Sequence, residues 1–519
     1  MAWSDLPTQP NILLLITDQQ RHARHWPPGW AEANLPALAR LQRNGMTFER
    51  AYCAACECSP SRAAFVTSTY PQVNGVTTTA PPSYRNVPPE PYAGLDSSRP
   101  NLGSVLSAAG YETAWRGKWH LYYVPNGPGD LTAYDFAGWD PPDAGTTLSL
   151  HLLGEGTPGP TYNNANDPRY VNGAGGAVQF LTGWSQQPAQ GRKPFFLVVS
   201  LVNPHDVHVY TQGYTTVGYT DVFESLDIGL PHNHHDTLEH KPRAQRIFRH
   251  KWDKQQPFDQ DKGITPEGYA KFYAYLTTLA DGRTCEVLDA LDGLGLTDGT
   301  LVVRFGDHGE MGMSHGLREK MYNAYEETIR VPLVVSNPVA FPEPVRTDAF
   351  ASLVDLLPTL ATIAGAKAPD GIAGVDLTPV LSGASPTAQP AVLWAYDDVA
   401  VARSVIATVA THIRAMRKDD WMYAVYFAEN EPSVPFEFEL YDLAADHGEL
   451  NNLLNPLQVT VEQWQTLHDH LTCLMEAKGG LPPGVTWPTT VDAAMLDLPP
   501  LTLSIEDLMI GWAVPLEGK

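Results

Sequence analysis

Basic residues are scarce in this chain: 34 lysines and arginines stand against 58 aspartates and glutamates, a formal net charge of −24 over 519 residues. Neutralising a phosphate backbone takes clustered cations, so that imbalance excludes a nucleic-acid-binding surface. Long polyanionic substrates are disfavoured for the same reason. A small anion is still acceptable, because a few buried cations in a cleft outweigh a distant, salt-screened negative surface. Cysteine is also rare, with five in all, three of them crowded into Cys53, Cys56 and Cys58. No paired disulfide framework can be drawn from these, which points to a reducing cytoplasm. The apolar run over residues 12–16 is far too short to span a bilayer, and the opening MAWSDLPTQP lacks the basic region and small-residue cleavage site of a secretory leader. The expectation is a cytoplasmic protein with neither a nucleic-acid nor a membrane partner.

What is present is enough for a large core: 43% of residues are hydrophobic and 18% charged. At this length more than one core is expected. Apolar runs repeatedly end in polar residues able to do chemistry. Residues 11–17 lead into Asp18 and Gln19, 111–115 into Lys118 and His120, 195–202 into Asn203-Pro204-His205, and 301–305 into Asp307 and His308. Between them lie helical patterns at 35–42, 102–109, 177–184 and 267–294. Strands alternating with helices predict an α/β fold whose large domain carries a mostly parallel central sheet flanked by helices. In such sheets ligands gather beyond the carboxyl ends of the strands, so the four loops should converge.

The pattern changes after about residue 390. Residues 412–418 and 421–426 read as hairpin arms around Asp419-Asp420, 439–443 as a further strand, and Thr460 with Gln463 as the capping box of a helix running to about Lys478. The expected organisation is a catalytic domain over 1–389, a smaller α+β unit with an antiparallel sheet over 390–480, and a tail over 481–519. That tail is too apolar, with Trp487, Leu496, Leu501, Leu503, Ile505, Met509 and Trp512, to be freely solvated. It is expected to pack on the protein itself or on a neighbouring subunit of a homo-oligomer.

The sharpest chemical signal is Cys58-Ser59-Pro60-Ser61-Arg62 ahead of a helical stretch at 63–69. Ser59 can cap the helix and Pro60 can take its first position, setting Cys58 just before a helix N-terminus that favours an anion. Arg62 adds a planar donor fork suited to a tetrahedral oxyanion. Asp18, Gln19, Asp307 and His308 offer carboxylate, amide and imidazole donors at two strand ends, a set suited to a divalent cation.

Cys58-x-Pro60-x-Arg62 resembles the signature of the sulfatase family of the alkaline phosphatase superfamily. Tyr70-Pro71 and Gly75-Val76 resemble its continuation. Asp18-Gln19, Gly117-Lys118-Trp119-His120, Asn203-Pro204-His205 and Gly306-Asp307-His308-Gly309-Glu310 resemble further family blocks, in the family's order, and the likeness reaches Glu439 to Leu443 and Glu449 to Leu453. It implies that a formylglycine-generating enzyme oxidises Cys58 to formylglycine. It also implies that Asp18, Gln19, residue 58, Asp307 and His308 hold one divalent metal, calcium first and manganese second, since imidazole suits manganese better. Gln19 replaces a second aspartate and His308 an asparagine of the commonest pattern, as in members resembling choline-sulfatases and phosphonate monoester hydrolases.

The implied substrate is a small anionic ester, an aryl or small alkyl sulfate. Arg62, Lys118 and Lys320 would neutralise its oxygens, His205 would serve the leaving alcohol, and His120 would deprotonate the second hydroxyl of the hydrated aldehyde so that sulfate is expelled. His315 and Arg318 are weaker candidates that would shape the pocket. Two alternatives stay open: a phosphonate monoester or phosphodiester hydrolase with the same nucleophile, and an inactive anion-binding protein that keeps Cys58 as a thiol.

Overall fold

The computed structural model describes residues 3–79, 94–121, 130–140, 143–145, 153–155, 166–397, 409–429 and 431–498. The anticipated α/β architecture is present. A seven-stranded sheet runs in the order β4 (Glu112–Gly117), β5 (Phe195–Pro204), β1 (Asn11–Asp18), β6 (Thr300–Gly306), β7 (Leu333–Ser336), β2 (Gly45–Tyr52) and β8 (Val345–Ser352). β7 runs antiparallel to β6 and β2, and every other pairing is parallel.

β1 is a near-continuous apolar run because helices cover both faces of the sheet, as a parallel sheet requires. Its side chains alternate between two cores. Ile12, Leu14 and Ile16 join Phe196, Val198, Leu301 and Phe305 on one face. Leu13 and Leu15 join Leu197, Val199 and Val302 on the other. All five β1 side chains are at most 3% exposed, each contributing roughly 1.5–3 kcal/mol by burial. The helices predicted around 35–42, 102–109, 177–184 and 267–294 are observed as Pro36–Arg43, Leu102–Ala108, Ala177–Ser185 and Pro266–Gly293.

The second sheet has five strands in the order β12 (Glu437–Asp442), β11 (Trp421–Phe427), β10 (His412–Lys418), β9 (Ala391–Tyr396) and β3 (Ala55–Cys56). The Asp419-Asp420 hairpin forms as expected, with Lys418 opposite Trp421. Trp464, Leu467, Leu471 and Met475 of the helix Val461–Lys478 pack on Met416, Tyr423, Val425 and Leu440. That helix carries the capping box: Thr460 accepts from Gln463 N, and Gly479 ends it in the left-handed region. The sheet's other face, with Ile413, Ala415, Ala424 and Tyr426, belongs to the main core. β3, just ahead of Cys58, pairs parallel with β9 and ties the Cys58 segment to this sheet.

Trp487 of the tail stacks on His468 at 5.6 Å, with edge contacts to Phe427 and Phe436. Leu501, Leu503, Ile505, Met509 and Trp512 lie outside the described residues. Among the described residues no helix is long and apolar enough to cross a membrane.

Candidate active site

The helix after β3 begins earlier than expected. It spans Cys58–Thr67, so Cys58 is its first residue and Glu57 stands at the cap position, where its side chain does not cap the helix and instead accepts from Thr79 Oγ1 at 3.1 Å. Ser59 does not cap; its Oγ donates to the carbonyl of His120 at 2.7 Å. Pro60 falls within the first turn, where a missing N–H is tolerated because those groups have no intrahelical partner. Every residue of this helix is buried, which removes the amphipathic signal that would have marked its start.

β1, β6 and this helix bring their ends together. Ligand-capable atoms of Asp18, Cys58, Asp307 and His308 lie within 4.8 Å of one another, all buried. Cys58 Sγ is 3.5 Å from Asp18 Oδ1 and 3.1 Å from His308 Nε2. His308 Nδ1 lies 2.9 Å from the Gly309 carbonyl, which can only accept, so Nδ1 carries the proton and Nε2 turns its lone pair to the cluster. Asp307 Oδ1 accepts from the backbone N–H groups of Gln19 and His308 at 3.0 and 2.9 Å. A Cβ on Gly309 would stand 1.9 Å from the Glu327 carbonyl oxygen, so only glycine fits after His308.

Gln19 lies beside the cluster with its backbone in the left-handed region. Its Oε1 accepts from Lys320 Nζ at 2.6 Å, and its Nε2 donates to Glu319 at 3.2 Å. Lys320 also pairs with Glu319 at 3.1 Å.

Arg62 departs from the free fork that the sequence suggested. Its Nε donates to Asp307 Oδ2 at 2.9 Å, one terminal nitrogen to Asp18 Oδ2 at 3.1 Å, and the other to the Lys118 carbonyl and Ser200 Oγ at 2.8 and 2.9 Å. The guanidinium spans both carboxylates at zero exposure and orients them. Lys118 Nζ sits 2.5 Å from Asp18 Oδ2. Gly117 is required before it, since a Cβ there would meet the Ser200 carbonyl oxygen at 1.9 Å.

The electrostatics follow from burial set against these charges. Burial opposes ionisation of Asp18, but the permanent cations Lys118 and Arg62 outweigh it and hold the carboxyl well below its ordinary range. Burial, reinforced by Asp18, pushes the Cys58 thiol up to about 12. A thiol that stays protonated is a poor nucleophile at neutral pH. Burial pulls Lys320 down, yet Glu319, with Glu57 and Asp18, more than restores it, so its cation is secured. Burial and then Lys118 hold His205 well below the usual histidine range, leaving its ring neutral.

His205 follows β5 and is 8% exposed, and His120 follows β4 at 2%, with its backbone N–H held by Asp143 at 2.8 Å. The remaining two candidates are committed elsewhere. His315 lies between Asp236 at 2.6 Å and Asn233 at 3.1 Å, stacked on Tyr325. Arg318 donates to the Gln256 carbonyl and covers Phe258. Sequence reading passed over Ser200, Glu310, Glu319 and His208. Glu319, adjacent to Lys320, was within reach of inspection, whereas Ser200 is hidden inside an apolar strand.

Comparison with known proteins agrees with this geometry. The sulfatase family model matches residues 10–366, and the model of the N-sulphoglucosamine sulphohydrolase C-terminal region matches 313–477. The chain is 27% identical to an ulvan-active sulfatase of Formosa agariphila, over 91% of this chain and 82% of that one. It is 28% identical to a choline-sulfatase of Rhizobium meliloti, over 88% and 84%. The solved phosphonate monoester hydrolase of Agrobacterium radiobacter shares the fold, with a TM-score of 0.63 at 21% identity, covering 90% of this chain and 96% of that one. With the family model matching well over half of its length, the chain belongs to the sulfatase family and is a sulfuric ester hydrolase.

Proposed function

We propose that the protein hydrolyses aryl or small alkyl sulfate esters with a formylglycine formed from Cys58 and one divalent cation. The observation that carries this reading is the convergence of Asp18, residue 58, Asp307 and His308 within 4.8 Å, ringed by Arg62, Lys118 and Lys320. Two carboxylates and an imidazole lone pair converging on one point suit such a cation, and Gln19 would complete the set through its amide oxygen. Calcium is the first choice and manganese the second. The cation would lower the pKa of the attacking oxygen and neutralise developing charge, and the hydrated aldehyde would provide that oxygen.

The chain's own groups do the rest. Arg62 holds the two carboxylates in register, while Lys118 and Lys320 bind the equatorial oxygens of the ester. His205, kept neutral, donates a hydrogen bond to the leaving oxygen, and His120 takes up the proton that release of sulfate requires. A protonated thiol at position 58 cannot serve as the nucleophile, which favours its conversion by a formylglycine-generating enzyme. Five unpaired cysteines are consistent with a reducing compartment.

A second reading, hydrolysis of phosphonate monoesters or phosphodiesters, is favoured by His308 and Gln19 at the metal cluster. A substrate panel on purified protein, with residue 58 verified by peptide mass, tests both. Faster turnover of an aryl sulfate than of the matching aryl phosphonate is expected; the reverse order would overturn the sulfate assignment. A peptide mass showing Cys58 retained as a thiol, with neither ester turned over, would favour the anion-binding alternative.

A further inference from the structure

We propose that His205, Asp206 and His208 form a second divalent-metal site, of zinc type, on the turn that leaves β5. Each residue offers a ligand-capable atom, and the three atoms lie within 4.8 Å of one another, all buried. The local chain dictates the grouping: β5 passes directly into a tight helical turn over His205–Val209, which folds position 208 back onto 205. The two imidazole rings meet edge to face at 4.9 Å.

Among the described residues each side chain keeps one buried polar atom without a partner: His205 Nδ1, Asp206 Oδ1 and His208 Nε2. The residues are 8%, 0% and 6% exposed. Buried polar atoms are nearly always paired, and leaving one unmade costs about 1–3 kcal/mol, so three together on one turn call for a ligand. The other atom of two of these side chains is already fixed. His208 Nδ1 lies 2.9 Å from the His205 carbonyl, which assigns its proton to Nδ1 and a lone pair to Nε2. Asp206 Oδ2 accepts from Gly154 N at 2.8 Å and from the Tyr219 hydroxyl, leaving Oδ1 available. Such outer contacts are the kind that orient metal-binding side chains.

Two imidazoles and one carboxylate, with a fourth position for water or substrate, match the donor set of tetrahedral zinc. Bonds of about 2.0–2.1 Å place tetrahedral donors about 3.3 Å apart, so small ring rotations close the set. Lys118 and Lys320 face this turn and oppose a cation, whereas Asp206 itself, Glu155 and Glu319 favour one. Because His205 also borders the Asp18 cluster, occupancy through one ring nitrogen would leave the proton on the other and fix the ring as a hydrogen-bond donor.

Metal content of the full-length chain, stripped of metal, loaded with Zn²⁺ alone and dialysed, is the test. Wild type should hold about one more equivalent of zinc than His208→Ala, and Asp18→Asn, which disables the other cluster, should retain that equivalent. Co²⁺ loading should give a tetrahedral visible band in wild type and Asp18→Asn that is lost in His208→Ala; His208→Gln is read instead if the alanine variant fails to fold by circular dichroism. Equal zinc in wild type and a folded His208 variant, or no zinc in Asp18→Asn, overturns the second site while leaving the sulfatase reading untouched.

Discussion

Arg62→Met removes the guanidinium that bridges both candidate metal-binding carboxylates. Methionine keeps much of the volume but removes the charge and the donors now given to Asp307, Asp18, the Lys118 carbonyl and Ser200. Breaking a fully buried ion pair costs about 3–5 kcal/mol, because the abandoned charge cannot reach water. Asp18 retains Lys118, and Asp307 retains two backbone donors. The lower end, about 3 kcal/mol, is therefore expected for the metal-free protein. The same change removes a cation beside the proposed metal position, so the variant should bind a dication more tightly than wild type. Ligand at a hundredfold excess over its dissociation constant stabilises by about 2.7 kcal/mol, and tighter binding adds to that. Urea unfolding followed by the fluorescence of the 13 tryptophans, in chelator and in saturating Ca²⁺ or Mn²⁺, reads both effects. The deficit should be large in chelator and smaller with metal. A deficit unchanged by metal, or none in chelator, would refute the claim that Arg62 holds two carboxylates in register around a shared cation position.

Chains in which Cys58 remains a thiol should resist iodoacetamide at pH 8 while the exposed Cys473 reacts, since burial holds the Cys58 thiol near 12; peptide mass mapping that finds equal rates would contradict this. His25 is pulled down to about 4 by burial against the opposing pull of Glu327. Its folded pKa lies below the unfolded 6.5, so its contribution is present above pH 6.5 and is lost as pH falls toward 4. Wild type should then lose up to about 3 kcal/mol more than His25→Gln across that window, and parallel urea midpoints at pH 7 and pH 4 would exclude it. His205→Ala should slow alkyl esters more than activated aryl esters in steady-state assays, because only poor leaving groups need a donor; equal losses would remove its leaving-group role.

Elements with a strong local signature were legible in the sequence. β1, the β10–β11 hairpin and the capped helix Val461–Lys478 each carry a buried run, a turn or a capping box, and all appear where expected. The helix Arg243–Gln255 fell in a region that carried no recognisable code, and the start of Cys58–Thr67, expected at Pro60, lies at Cys58. In the latter, tertiary contacts recruit Ser59 and bury the whole helix, overriding local capping preference. At the site, strand ends predicted which residues converge, because a parallel sheet delivers its loops to one edge. Which donors remain free was not legible: Arg62 spends its fork on Asp18 and Asp307, and Gln19 meets Lys320, through contacts between residues 44 to 301 positions apart.

Those commitments bear on how so acidic a chain can take an anionic ester. Around the cluster, Asp18, Asp307 and Glu319 are matched in direct contact by Arg62, Lys118 and Lys320, so the protein's own charges nearly cancel there. A dication held by Asp18, Asp307 and His308 would tip the balance positive. At 4 Å and an effective dielectric near 20, each unit charge is worth about 4 kcal/mol, whereas surface carboxylates beyond about 8 Å are largely screened at physiological salt. The sign of the buried centre, and not the net charge of −24, therefore governs what enters it. On this reading Arg62 is spent on the carboxylates because a protein that gathers two of them around one cation position has to offset their mutual repulsion. Lys118, anchored to Asp18, and Lys320, anchored to Glu319 and to the Gln19 amide oxygen, each keep at least one ammonium donor in reserve for the substrate.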